Sequence, residues 1–149
     1  MQVGAFYVDN QRRPEGIELL QRCIAVDPAQ ADCLNALGYA YAEDNVHLDE
    51  ARKMITQALA IEPDNPAYLD SLGWVFYKQG QWTEALGLLE KALLRQEDPA
   101  IYDHIGDVYA KLNRMDKALE MWQKAVSLDD SMSAVKDKVS RARGAQRKK

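Results

Sequence analysis

The sequence is short of the residues that mark disulfide-rich, membrane-spanning or catalytic chains. It has two cysteines, Cys23 and Cys33, so no disulfide framework is implied, and whether these two pair depends on geometry. No apolar run is long enough to span a bilayer. Met1 to Asn10 lack the basic start and long apolar core of a secretory signal, which makes a cytoplasmic location the default expectation. The periplasm is the alternative if an upstream signal has been cut away. The two histidines, His47 and His104, are far apart, and neither has a metal-ligand neighbour four residues on. There is no glycine-rich phosphate loop. No catalytic residue, metal ligand or cofactor is therefore expected. Proline and glycine are few, but they fall at regular places.

What the chain does have is an ordinary balance of apolar and charged residues. At 149 residues, 47% hydrophobic and 28% charged, it suits one packed domain or one short array of repeats. The net charge of −4 hides an asymmetry. Residues 1–135 carry a net of −10, and residues 136–149 a net of +6. The acidic body should repel nucleic acid, whose binding depends on neutralising phosphates with Lys and Arg. The basic tail reads as a solvated helix end.

Alignment on the glycines exposes internal repetition. Gly4, Gly38, Gly73 and Gly106 are 34, 35 and 33 residues apart. Each is preceded by an apolar residue (Val3, Leu37, Leu72, Ile105) and followed three residues later by an aromatic (Tyr7, Tyr41, Phe76, Tyr109). A small residue comes next (Gly16, Ala51, Ala85, Ala118), then a large apolar one (Leu20, Ile55, Leu89, Trp122), then another small one (Cys23, Ala58, Ala92, Ala125). Pro28 and Pro63 close the first two units.

This spacing resembles the tetratricopeptide repeat, over nearly the whole chain and in the style of bacterial arrays. The resemblance implies an all-α fold: a right-handed superhelix, or α-solenoid, of stacked antiparallel helix pairs. The units run over about 1–30, 31–65, 66–98 and 99–131, followed by a capping helix and basic tail at 132–149. All belong to a single repeat domain, 1–149. The first unit begins part-way through, as in a piece cut from a longer array.

The residues support the same architecture without the family. Leu34, Leu37 and Tyr41 lie on one helical face, as do Leu69, Leu72 and Phe76, and Tyr102, Ile105 and Tyr109. Gly73 and Ala85 let two helices approach, and a larger side chain there would cost roughly 1–3 kcal/mol. Asn45, Gly80 and Asn113 stand between paired helices, where a left-handed residue is often needed. Gln11 departs from that logic. The expected helices are 1–9, 14–26, 31–43, 48–61, 66–79, 82–95, 99–112 and 115–128. Unit two has an extra residue near His47, and unit three is one short around Gln96 to Asp98. Met132, Val135, Val139 and Ala142 make a narrow apolar stripe on a last helix, 132–146, with Ser140 in the glycine's place. A polar outer face there suits the end of an array.

In the family this chain resembles, the first helix of each unit lines a concave groove. The corresponding stripe reads Asn35, Tyr39, Ala42, then Asp70, Trp74, Tyr77, then Asp103, Asp107, Ala110, with Asp32, Ser71 and His104 beside it. The candidate binding residues are thus Asp32, Asn35, Tyr39, Asp70, Trp74, Tyr77, Asp103, His104 and Asp107. An acidic, aromatic groove favours a protein or peptide with basic and apolar side chains. Tyr39, Trp74 and Tyr77 are read as large aromatics on a water-facing stripe. The clamp by which some relatives hold an acidic chaperone tail needs Lys, Arg and Asn. Of these only Asn35 is present, and the aspartates would repel a carboxylate. Asp70, Asp103 and Asp107 come from different helices, Asp70 from one and the other two from the next, and are not expected to form a metal site. Cys23 reads as a packing residue in the place of alanine. Two other functions are weighed. One is self-association through an N-terminal apolar edge at Val3, Phe6 and Tyr7, giving a homo-oligomer. The other is a regulatory segment of a larger enzyme or membrane-attached assembly.

Overall fold

The computed structural model of the chain describes residues 13–148. Among them there are eight helices and no strand. These are α1 (Arg13–Val26), α2 (Ala31–Glu43), α3 (Leu48–Ile61), α4 (Pro66–Lys78), α5 (Trp82–Arg95), α6 (Pro99–Lys111), α7 (Met115–Leu128) and α8 (Ser133–Arg147). Their bounds match the expected ones to within a residue. The expected helix 1–9, with Val3, Phe6 and Tyr7, and Gln11 after it, lies outside the described residues.

Local chemistry fixes the helix ends. Pro66 and Pro99 open α4 and α6, where a missing N–H costs nothing. The Asn65 side chain accepts hydrogen bonds from the backbone N–H groups of Ala67 and Tyr68, at 2.9 and 3.3 Å. Asp98 accepts one from Ala100 at 2.7 Å. These caps satisfy N–H groups that have no partner inside the helix. Asn45, Gly80 and Asn113 do adopt the left-handed conformation, with φ of 57°, 80° and 59°. His47 is also left-handed, at φ 49°, and takes up the extra residue of its unit immediately before α3.

Each pair packs through its small residues. A Cβ added to Gly38 would lie 2.7 Å from Ile55 of α3, and one on Gly73 would lie 2.8 Å from Leu89 of α5. On Gly106 it would meet the Trp122 indole of α7 at 2.4 Å. Ala51, Ala58, Ala85, Ala92, Ala118 and Ala125 have no exposed surface. The pairs then stack into one continuous core, because Leu59, Phe76, Tyr77 and Leu88 are shared between the first two apolar clusters. Leu93, Tyr109 and Met121 join the second to the third. The array is an all-α helical-repeat solenoid.

Cys23 and Cys33 form a disulfide, with their Cα atoms 6.4 Å apart. Cys23 is therefore not the free packing residue that its alanine-like position suggested. The repeat pattern showed that α1 and α2 stack, but not that these two side chains point at each other. No helix among the described residues is long and apolar enough to cross a membrane.

Candidate binding groove

α2 packs on α4, and α4 on α6, so the first helices of the pairs line up along one shared face. Seven of the nine candidate residues converge there. Trp74 lies at the centre. Its ring stacks on Tyr77, with centroids 4.6 Å apart and 9° between planes, and on His104, at 4.2 Å and 21°. Lys78 places its ammonium 5.3 Å from the same indole. The Tyr39 ring is 6.5 Å from His104, so α2 and α6 reach each other across α4.

Trp74 and His104 do not face water. Trp74 is only 8% exposed and His104 only 7% exposed, while Tyr39 and Tyr77 are half-buried. Ala42, placed on the same stripe, is fully buried. Each helix taken alone leaves the Trp74 ring in water, but His104 of the next unit and Tyr77 of its own helix stack on it and cover it.

The aspartates are also less free than a row of carboxylates suggests. His104 Nδ1 is 2.7 Å from an Asp70 carboxylate oxygen. Lys138 of α8 donates to Asp103 at 2.8 Å and to Asp107 at 2.9 Å. Asp107 also accepts from the Trp122 indole at 3.2 Å. The Lys138 ammonium thus occupies the space where a metal ion between Asp103 and Asp107 would sit. Its charge and that of a protonated His104 oppose three carboxylates. The groove is mildly acidic rather than strongly so.

The environment shifts several of these groups. Burial pulls the His104 imidazole down, but the hydrogen bond and charge of Asp70, with Asp103 and Asp107 beyond it, outweigh burial and leave it above its ordinary value. Burial raises the Asp107 carboxyl, against the opposing pull of Lys138. Lys138 is itself raised, because the two aspartates overcome the cost of its burial. Burial and then nearby carboxylates raise both Tyr39 and Tyr77.

Asp32 and Asn35 stand apart from this cluster. Asp32 accepts a short hydrogen bond from the Tyr68 hydroxyl, and a Glu62 carboxylate oxygen lies 3.0 Å from the same hydroxyl. The Asn35 side-chain oxygen is buried and has no hydrogen-bond partner among the described residues, and neither has the Trp74 indole N–H. Lys138 was missed from the sequence, although a signal for it existed. With Ser140 in the glycine's place, Lys138 stands two residues before it, as His104 stands two before Gly106. That position reaches the aspartate of the preceding unit in both cases: His104 to Asp70, Lys138 to Asp103.

Helix pairs stacked by small residues, with their first helices lining a shared inner face, define a helical-repeat protein. A family profile described as tetratricopeptide repeat matches residues 7–66, and one described as anaphase-promoting complex, cyclosome, subunit 3, matches residues 44–125. The chain belongs to the tetratricopeptide repeat family. No curated protein matches the sequence. Among solved structures, it is similar to TTC0263, a thermophilic repeat protein of this type from Thermus thermophilus. The TM-score is 0.74 at 20% identity, covering 95% of this chain and 75% of that one. It is also similar to PilF of Pseudomonas aeruginosa, with TM-score 0.80, 21% identity, and 99% and 67% of the two chains covered. A third relative in fold is the first such domain of Spaghetti (RPAP3), solved bound to the HSP90 peptide SRMEEVD. There the TM-score is 0.70 at 16% identity, over 78% and 93% of the chains. At these identities the likeness is one of fold.

Proposed function

We propose that this chain is a non-catalytic scaffold that holds a protein or peptide partner against the concave face of α2, α4 and α6. Trp74 carries the reading. Its indole N–H is buried without an acceptor among the described residues, in a side chain only 8% exposed. A buried polar group without a partner costs free energy, and a bound chain that draws the indole outward and supplies an acceptor would recover it. Tyr39 and Tyr77 offer half-buried aromatic surface beside it, of the kind enriched where binding energy concentrates. The mildly acidic balance of Asp70, Asp103 and Asp107 against His104 and Lys138 favours a partner with basic and apolar side chains over an acidic tail. That the RPAP3 domain of similar fold holds a peptide supports the general mode, and the aspartates here argue for a different sequence preference.

The test is a peptide-array screen at low and high salt, with Trp74→Phe beside the parent. Phenylalanine keeps a stacked ring and removes the N–H. Retention of basic, aromatic peptides by the parent, weakened by salt and by the substitution, is the expected result. If no peptide is retained, or if the variant binds as well as the parent, the concave face is not the site.

A further inference from the structure

The outer face of α8 departs from the first helices before it at the positions that elsewhere receive a second helix. In α2, α4 and α6 the central position is glycine, pressed against Ile55, Leu89 and Trp122 of the following helix. In α8 it is Ser140, which is exposed. Four residues earlier, Leu34, Leu69 and Tyr102 are replaced by Lys136. Three residues later, Tyr41, Phe76 and Tyr109 are replaced by Arg143. The apolar residue just before the glycine is kept, as Val139.

Together with Gln123, Val126 and Ser127 of α7, these residues line a groove of about 570 Å³ between the last two helices. Its lining includes two cations and no carboxylate. Arg143 makes no ion pair or hydrogen bond with the described residues, and Lys136 acts only at a distance, on Asp129. The two cations are seven residues apart on one helical face, about 10 Å along the axis.

We propose that this groove is a second binding site, for an acidic amphipathic helix of a partner protein, seated where a further second helix would pack. The occupant presents two carboxylates about two turns apart to Lys136 and Arg143. Between them it carries a small residue, because the Ser140 side chain prevents the close contact that Gly38 and Gly73 allow. Val126 and Val139 supply a short apolar floor. A cleft between two helices, with Val126 and Val139 at its base, suits a helix better than a flat bilayer or a nucleic-acid duplex. The site lies on a different face from Trp74 and does not depend on the concave groove.

The experiment uses the full chain and fluorescence anisotropy. The probe is a labelled, alanine-rich helical peptide bearing two glutamates two turns apart, beside its lysine counterpart. The expected result is preference for the glutamate peptide, weakened by salt and lowered about tenfold or more in Lys136→Glu, Arg143→Glu. The doubly reversed variant should then bind the lysine peptide more tightly than the parent does. Both substituted residues are exposed, and circular dichroism confirms that the fold is kept. Equal affinity for the two peptides, binding of neither, or an unaffected double variant would overturn the proposal. So would binding only to a DNA duplex or to phosphatidylglycerol vesicles through these residues.

Discussion

His104 Nδ1 lies 2.7 Å from the Asp70 carboxylate, joining the first helices of two successive pairs at the inner face. The interaction raises the imidazole above its ordinary value, so it stabilises the fold while His104 is charged. This contribution is full below the unfolded value, about 6.5, and is lost as pH rises through the higher folded value. The parent should therefore melt at a lower temperature at pH 9 than at pH 6, by about a few degrees. His104→Gln should flatten that dependence. Equal pH slopes for the two proteins would show that the pair contributes nothing.

Lys138 is the corresponding link one unit further on. Lys138→Met should leave Asp103 and Asp107 facing each other without a cation. The lysine side chain is 31% exposed, and solvent screens part of the loss, so a cost of about 1–2 kcal/mol is expected. Urea unfolding measures it. Adding Asp103→Asn to the variant should recover part of the stability, which a purely apolar role for the lysine stem would not produce.

Of the three glycines at the helix-pair contacts, Gly38, Gly73 and Gly106, the last faces the stiffest neighbour. Ile55 and Leu89 can change rotamer, but a Cβ on Gly106 would enter the Trp122 indole, whose N–H is held by Asp107. Gly106→Ala should cost more than Gly38→Ala or Gly73→Ala, about 3 kcal/mol against about 1–2. Trp122→Leu in the same chain should relieve part of that cost. Equal midpoints for the three alanine variants in denaturant would remove this ranking.

The Cys23–Cys33 link closes a short loop between α1 and α2. Chain entropy assigns such a loop about 3 kcal/mol. Cys23→Ala, Cys33→Ala should lose stability of that order, and reductant should destabilise the parent but not the variant. Two free thiols in the denatured, unreduced protein would exclude the bond.

Helix positions were legible because steric demands recur at one period: a glycine where helices touch, an aromatic three residues on, a left-handed Asn or Gly at the turn. Side-chain partnership across units was not legible in the same way. The burial of Trp74 and His104 depends on rings brought from a neighbouring unit, and no single helix face encodes that. Lys138 escaped because α8 was read as a cap with its polar residues in solvent, although Lys138 repeats the place of His104. The disulfide needed the direction of two Cβ atoms, which spacing leaves open.

An array whose units touched only their neighbours could exchange a middle unit without consequence for the others. Tyr39 and His104 break that rule, since their rings approach to 6.5 Å with a whole helix pair between them in the chain. Swapping α4 and α5 for a helix pair of slightly different twist would move one ring away from the other, even if every adjacent interface were preserved. The middle unit is thus constrained by two residues that it does not contain, and recombination of whole repeats should be least tolerated there.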